Sequence, residues 1–155
     1  MKVREGRHGE MDSWSIVRVC SWLQEIDDEK FYQEVAAFLP LKINLTGNIL
    51  LTDVSSITEV LSYSETKHDI KISNKCQFLH SDLKGFLKNF FKTDRNIQIK
   101  LLDLGGNKVN DESASAIASY IHNIEELHLD VCELTSVGIC KLQRLFPTFH
   151  NQLNY

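Results

Sequence analysis

The residues of this sequence that could carry chemistry are four cysteines and six histidines, and their spacing forms no metal or nucleophile motif. The cysteines contain no C-x-x-C pair, and no second cysteine or histidine pair completes a zinc site. The histidines form neither H-E-x-x-H nor an H-x-E motif followed by paired cysteines. We therefore expect reduced thiols that pack as small hydrophobes, at Cys20, Cys76, Cys132 and Cys140.

One glycine-containing stretch, Gly105-Gly106-Asn107-Lys108-Val109, superficially suggests a phosphate-binding loop. It lacks the four-residue spacer, the second glycine before the lysine, and the Ser or Thr that would hold magnesium. A G-x-S-x-G nucleophile elbow is also missing from the sequence. The sequence therefore predicts no enzyme activity, no cofactor, and no catalytic or metal site.

The composition is that of one globular domain, because 43% of the 155 residues are hydrophobic and 25% are charged. The formal net charge of −4 gives no basic footprint for nucleic-acid binding. No apolar run approaches the roughly 18 residues of a membrane span, and the charged opening residues are no secretory signal. We expect a soluble, cytoplasmic protein that binds neither nucleic acid nor membrane.

The second half of the chain contains an internal repeat, because residues 97–121 and 122–146 align at a constant offset of 25. The shared pattern is L-x-x-L-x-L-x-x-(N/C)-x-L, followed by apolar or small residues four apart. The matching pairs are Ile99/Ile124, Leu102/Leu127, Leu104/Leu129, Asn107/Cys132, Val109/Leu134, Ser113/Gly138, Ile117/Leu142 and Ile121/Phe146.

Each part of this pattern predicts a structural element. Leu102 and Leu104 alternate with their neighbours, which predicts a short strand with one buried side. Asn107 follows where the chain leaves the strand, where its amide can bond unsatisfied backbone groups. Ser113 and Ile117 begin a four-residue spacing, which predicts a helix that packs back onto the strand. One such unit cannot bury its apolar side alone and must stack on neighbours.

A degenerate first unit is predicted upstream. Residues 69–72 resemble a strand, and Phe78, Asp82, Phe86 and Phe90 recur every four residues as in a helix. Lysines on the exposed side of that helix form a solvated surface, at Lys84, Lys88 and Lys92.

The first half of the chain is predicted to be helical. Apolar periodicity predicts three helices, over residues 14–26, about 27–39 and 54–63. The chain between the second and third helices is predicted to be extended or irregular. The predicted segments are a disordered lead-in (1–11), a helical segment (12–64), about three repeats (65–146) and a C-terminal tail (147–155).

These repeats are identified as leucine-rich repeats of the ribonuclease-inhibitor type, on the stretches LLDLGGNKVNDESASAIASYI and ELHLDVCELTSVGICKLQRLF. Together with CSWLQEIDDEKFYQEVAAFL, the order of elements resembles the junction in NOD-like receptors where the last helices after the nucleotide-binding module enter the repeats. The resemblance implies an α/β fold, with a short solenoid whose parallel strands line a concave face and whose helices line the convex face. It also implies protein recognition in innate immunity. This chain lacks the nucleotide-binding and death-fold modules, so we expect a fragment, short isoform or truncated product.

A second resemblance starts from the N-terminal helices. WSIVRVCSWLQEI with GNILLTDVSSITEVL is similar to a sterile alpha motif, a five-helix self-association domain. It implies a self-association scaffold fused to repeats. The strand pattern at 69–72 fits this alternative poorly.

The repeat register predicts a partner-binding face. The residues between the buried leucines point outward together on neighbouring strands, and the candidates are Leu101, Asp103, Glu126, His128 and Asp130. Lys71 and Ser73 extend this row. Because acidic residues dominate it, we expect a protein partner with a basic surface. A short solenoid also leaves apolar residues uncovered at its ends, among them Tyr63, Phe146, Phe149 and Tyr155. Either the tail 147–155 folds over the end or another chain covers it, which predicts weak self-association or limited stability of the isolated chain.

Overall fold

The structure, a computed structural model, describes residues 13–26, 28–78, 83–91, 97–129 and 134–145. Six helices of eight or more residues and six strands lie within these ranges. In chain order the elements are α1 Ser13–Ile26, α2 Glu29–Phe38, β1 Lys42–Leu45, β2 Asn48–Ile49, α3 Leu51–Ser62, β3 His68–Ile72, β4 Gln77–Phe78, α4 Leu83–Phe90, β5 Ile99–Asp103, α5 Asp111–Ser119, the 3-10 turn Ile121–Asn123, β6 Ile124–His128 and α6 Ser136–Leu145.

Four of the strands form one parallel sheet in the order β1-β3-β5-β6, and the short strands β2 and β4 pair separately, also in parallel. A helix lies between each consecutive pair of main-sheet strands, namely α3, α4 and α5. Parallel pairing requires such crossover connections. Each helix from α3 to α6 packs against the next. The prediction of an α/β chain with parallel strands is confirmed.

The 25-residue register is present in the backbone pairing of β5 and β6. Ile99 pairs with Ile124 and Leu102 with Leu127, each at an offset of 25. Leu102 and Leu104 are fully buried, as the alternation predicts. The upstream spacing is less regular, because Ile43 pairs with Ile70 at an offset of 27 and Ile70 pairs with Leu102 at 32.

The predicted helix stripes form the other side of the core. Ser113 and Ile117 of α5 and Leu142 of α6 are buried. In α4, Phe86 and Phe90 are buried and stacked, with ring centroids 5.6 Å apart. Because strands and helices contribute to one continuous apolar cluster, each unit is stabilised mainly by its neighbours.

The sheet begins earlier than predicted. β1 and β2 lie inside the range 12–64 that was predicted to be helical, in the stretch predicted to be extended or irregular. Ile43 and Leu45 are buried and alternate with exposed residues, the period of a strand with one buried face. Phe78 was predicted to belong to a helix but lies in β4, and α4 begins at Leu83.

The N-terminal helices agree closely with the predicted ranges. The Asp28 carboxylate accepts a hydrogen bond from Lys30 N–H at 2.9 Å and caps α2. The third helix starts at Leu51 rather than Val54. Asp53, which was predicted to precede the helix as its cap, lies in the first turn, and its carboxylate accepts a hydrogen bond from Leu50 N–H at 2.8 Å. Both α1 and α2 pack against α3.

Several predicted features lie outside the described residues. These are the lead-in 1–11, the tail 147–155, Lys92 and Phe146. Tyr63 was predicted to be exposed at an uncovered end. It is half-buried and stacks on Tyr32 with ring centroids 5.5 Å apart, because α2 and α3 pack together there.

Candidate functional site

The side of the sheet opposite the helices presents two rows of side chains that run across all four strands. We call it the open face. Its first row follows the paired positions of β1, β3, β5 and β6, and its second row lies two residues further along each strand. The open face consists of Lys42, Asp69, Leu101 and Glu126 in the first row and of Asn44, Lys71, Asp103 and His128 in the second.

The structure brings together four of the five predicted site residues. Leu101 pairs with Glu126, and Asp103 pairs with His128. Neighbouring strands in a sheet lie about 4.8 Å apart, so these side chains form one continuous surface. Glu126 and His128 are exposed, and Leu101 and Asp103 are half-buried. The fifth, Asp130, lies outside the described residues.

Lys71 extends this surface, as predicted, and changes its charge. Its Nζ lies 2.7 Å from Asp103 Oδ2, and Gly105 N–H donates to Asp103 Oδ1 at 2.9 Å. Partial burial on its own raises the pKa of Asp103, but the hydrogen bonds from Lys71 and Gly105 and the positive charge of Lys71 outweigh it, so the net pKa is lowered. Asp103 is therefore a carboxylate whose charge is largely balanced by its neighbour.

A second ion pair borders the open face. Lys67, just before β3, pairs with Glu125 of β6. The open face and this pair together carry three lysines and four carboxylates among the described residues, so charges of both signs lie on this surface. The acidic surplus is confined to the β6 end, where Glu126 lies.

Sequence analysis missed the β1 residues of the open face, Lys42 and Asn44. A signal for this strand was present, because Ile43-x-Leu45-x-x-Asn48 has the same spacing as Leu102-x-Leu104-x-x-Asn107. The register continues at Leu50 and Val54 and loses its apolar character at Thr58, where the later unit has Ile117, so the match was incomplete.

His68 is a second residue that sequence analysis missed. It is buried at the start of β3, where Nδ1 donates to Pro40 O at 2.9 Å and Nε2 lies 2.8 Å from Ser64 Oγ. A carbonyl can only accept, so Nδ1 carries the proton and the neutral ring accepts from the Ser64 hydroxyl. Burial lowers the pKa of His68 and outweighs the opposing effects of Pro40 O and Asp69. The neutral imidazole therefore joins the α2–β1 connection to β3.

Two polar contacts hold consecutive units together, one in the core and one at the N-termini of α5 and α6. Asn107 Nδ2 donates to Ile72 O at 2.7 Å and to Leu104 O at 3.0 Å, which is the backbone role predicted for this amide. The Asp111 carboxylate accepts from Thr135 N–H at 3.0 Å and from the Thr135 hydroxyl at 2.5 Å, at the start of α6. These Thr135 contacts lower the pKa of Asp111.

The glycine-containing loop 105–109 is arranged as a strand-to-helix turn. Gly106 has a positive φ of 74°, and Asn110 accepts from Ser113 N–H at 2.9 Å to cap α5. Acidic residues follow in the first turn of that helix, at Asp111 and Glu112. Their negative charge disfavours an anion at this helix terminus.

The described cysteines are free thiols. Burial raises the pKa of the Cys20 thiol to about 12 and that of Cys76 to about 11, which makes both poor nucleophiles. Cys140 is exposed rather than packed in the core, and Cys132 lies outside the described ranges. In the part of the chain that the structure describes, no group of three metal-binding side chains comes together.

Within the described ranges, every helix is too short or too polar to cross a bilayer. A scan against protein-family models found no match for this chain, and a search of curated proteins found no match either.

Proposed function

We propose that this chain is a non-catalytic protein–protein interaction module built from leucine-rich repeats, and that its open face contacts a partner protein. The observation that carries this proposal is the pair of cross-strand rows, in which eight exposed or half-buried side chains from four parallel strands form one continuous surface. Repeat proteins of this type bind through the surface that their stacked strands line.

The leucine-rich repeat assignment is supported by two features of the structure, one in the backbone and one in a side chain. The first is the pairing of β5 with β6 at the offset of the sequence repeat. The second is the buried Asn107 amide, which donates to the carbonyl of the preceding unit at Ile72. We infer four stacked strand–helix units in place of the three predicted, because β1 and α3 precede the unit that begins with β3.

A non-catalytic role is supported by the types of side chain on the open face. They are two lysines, three carboxylates, one amide, one leucine and one histidine. None is a hydroxyl or thiol nucleophile, and Lys71 and Asp103 are engaged with each other. Such a surface is suited to recognising a complementary arrangement of charges on a partner.

We further propose that the module is related to the helix-to-repeat junction of NOD-like receptors and acts in the cytoplasm, with a role in innate immune sensing or its regulation. This rests on the sequence resemblance of the N-terminal helices and the repeats. A longer product of the same gene, with a phosphate-binding loop upstream of Ser13, would support the relationship.

The charge pattern narrows the partner that we expect. Lys71 and Asp103 balance each other at the centre, and Leu101 provides an apolar contact beside them. Glu126 leaves the acidic surplus at the β6 end, whereas Lys42 is positive at the β1 end. A partner should therefore place basic groups opposite β6, which refines the basic partner expected from sequence.

The sterile alpha motif alternative finds less support. That domain is a bundle of five helices, whereas the corresponding part of this chain contains β1 and β2 between its second and third helices. β1 belongs to the main sheet through its pairing with β3. Peptide binding and sedimentation of the full-length chain also test self-association through the N-terminal helices.

Site-specific photo-crosslinking tests the proposal. A photoreactive phenylalanine replaces His128 on the open face or, as the matched control, Gln143 on α6; both positions are exposed. Each full-length chain is irradiated in cytosolic extract, with and without the further change Glu126→Arg. We expect a discrete protein adduct from position 128, its loss with Glu126→Arg, and no such adduct from position 143.

Circular dichroism must show that all variants retain the same fold. An adduct of equal yield from positions 128 and 143, or one unaffected by Glu126→Arg, would contradict docking on the open face. Failure of every position to form an adduct at saturating irradiation would also count against it.

A further inference from the structure

The N-terminal helices expose an unusual amount of apolar surface. Seven large apolar side chains are exposed among the described residues, and five of them lie between positions 22 and 41. Phe38 is 82% exposed and Trp22 is 55% exposed. Isolated exposed apolar residues are ordinary, whereas a concentration of them marks an interaction site. The five residues are Trp22, Ile26, Phe31, Phe38 and Leu41.

A cleft lies between α1 and α2 within this region. Both helices pack against α3, and a space of about 160 Å³ remains between them. A dry apolar cavity of roughly 150 Å³ accepts a benzene-sized group. The cleft therefore has room for one aromatic or leucine side chain. It is lined by Ile16, Val19, Cys20, Val35, Phe38 and Leu39.

The spacing of the exposed residues continues the cleft along both helices. On α1, Trp22 and Ile26 follow the cleft residue Val19 at intervals of three and four. On α2, Phe31 precedes the cleft residue Phe38 by seven, which is two helical turns. Two apolar stripes on either side of a cleft form the receptor half of helix-in-groove recognition. We call this surface the α1–α2 groove.

The polar residues around the groove are mainly acidic. Residues 13–41 contain five carboxylates and two cationic side chains. Four of the carboxylates are described and exposed, on α1, at the α2 cap and on α2. Of the two cations, Lys30 lies 4.0 Å from Glu34 and Arg18 lies over the Trp22 ring at 5.2 Å, so three of the four carboxylates keep their charge unbalanced by these cations. This surplus attracts a basic partner and repels a second copy of the same acidic surface. The four exposed carboxylates are Glu25, Asp28, Glu29 and Glu34.

The size of the surface also distinguishes between partners. A fully buried aromatic side chain covers about 150–250 Å², so the exposed parts of Trp22, Phe31 and Phe38 offer roughly 350 Å² together. A standard interface between two globular proteins buries about 800 Å² per partner, of which roughly 450 Å² is apolar. The α1–α2 groove suits one helix better than a second folded copy.

We propose that the α1–α2 groove binds an amphipathic helix of a partner protein. The partner helix inserts one aromatic or leucine side chain into the cleft between Val19 and Phe38, and its polar side is basic. This surface is separate from the open face, so either proposal can fail without the other.

Fluorescence anisotropy with three labelled helical peptides tests the proposal. The first peptide has Leu and Phe at positions i, i+3, i+4 and i+7 on a lysine background, and the second has the same apolar positions on a glutamate background. The third has the composition of the first in scrambled order. We expect the full-length chain to bind the first peptide at least about tenfold more tightly than the other two, with an affinity that falls as salt is added.

Two variants locate the binding and its charge preference. Phe38→Asp should weaken binding of the lysine peptide more than about tenfold, because a buried aromatic anchor dominates such interfaces. The matched control Val137→Asp changes an exposed apolar residue of α6 and should leave binding unchanged. The double change Glu29→Lys with Glu34→Lys should reverse the preference towards the glutamate peptide.

Three results would overturn the proposal. The first is equal binding of all three peptides, and the second is binding that Phe38→Asp and Val137→Asp weaken alike. The third is absence of peptide binding together with a dimer, seen by sedimentation, that Phe38→Asp dissociates. That last result would assign the groove to a second copy of the chain.

Discussion

The Asn107 amide offers the sharpest test of how consecutive units are joined. Its Nδ2 donates to Ile72 O of the preceding unit and to Leu104 O of its own. Replacement by alanine removes both donors. Leu104 O keeps a hydrogen bond from Asn107 N–H at 3.1 Å, so the main loss is at Ile72 O.

The expected magnitude follows from that difference. A buried carbonyl left without its donor costs about 1–3 kcal/mol, and Leu104 O adds little because its backbone bond remains. We therefore expect Asn107→Ala to lower the free energy of unfolding by about 2 kcal/mol. For a chain of this size, that corresponds to a fall in Tm of roughly 4–8 °C. Asn107→Asp should cost more, because an ionised carboxylate can only accept and would face two carbonyl oxygens.

Urea denaturation monitored by circular dichroism measures the effect, with Asn44→Ala as the matched control. Asn44 is exposed on β1, and a surface change of this kind stays within about 0.5 kcal/mol. The m-value should be unchanged in both variants. Equal stabilities for Asn107→Ala and Asn44→Ala would refute the reasoning that a side-chain amide joins the units.

Three further predictions concern pH and packing. Burial holds the pKa of His68 below its ordinary value, so the unfolded chain binds the proton at a higher pH than the folded chain does. The free energy of unfolding should therefore fall as the pH drops below about 6.5 and become constant below the lowered pKa of the folded state. In urea titrations at several pH values, His68→Gln should reduce that fall. Gly138→Ala should destabilise the chain, because the added Cβ would clash with Asp111 Oδ1. The loss should be much smaller when Asp111 is alanine and only the 3.0 Å approach to Leu134 Cδ2 remains, as a thermal double-mutant cycle can show. Lys71→Met should raise the pKa of Asp103 in a carbon-detected NMR titration, because its main hydrogen-bond donor is lost and partial burial remains.

Each of these predictions has a control and a contradictory outcome. His122→Gln, at an exposed histidine, is the matched control, and an effect of His68→Gln identical to that of the control would contradict the buried neutral imidazole. Additive effects of the Gly138 and Asp111 changes would contradict a direct clash. Lys42→Met should leave the Asp103 pKa nearly constant, and a shift as large as that from Lys71→Met would contradict the ion pair.

The parts of the fold that sequence analysis predicted are those with strong local periodicity. The apolar spacing around Leu102, Leu104 and Ile117 specified a strand, a turn and a helix, and the offset of 25 aligned the following unit. The buried role of Asn107 was also predicted, because a polar residue at a fixed place in an apolar repeat needs a backbone partner.

The missed elements are short and depend on distant partners. β2 and β4 have two residues each and exist through pairing with each other, which local patterns do not reveal. Phe78 continued a four-residue spacing, so the helix pattern extended across what is a strand. Tertiary pairing overrides local preference most easily in such short segments.

The ion pairs of the open face were not predicted, for a related reason. Lys71 and Asp103 pair across an offset of 32 rather than 25, and Lys67 and Glu125 are 58 residues apart. Without the register between β3 and β5, the carboxylates could be assigned to a surface but not to their lysine partners. Sequence analysis therefore placed most residues of the open face on neighbouring strands but did not predict the ion pairs between them.

The parallel stacking of the strands is the claim on which both the open face and the repeat assignment depend. NMR measurement of backbone NOEs in the uniformly labelled chain tests it most directly. We predict cross-strand NOEs that place Leu102 beside Leu127 and Ile70 beside Leu102, with strand-type carbon shifts over 99–103 and 124–128. Continuous helical NOEs through these two segments, without cross-strand contacts, would contradict the account.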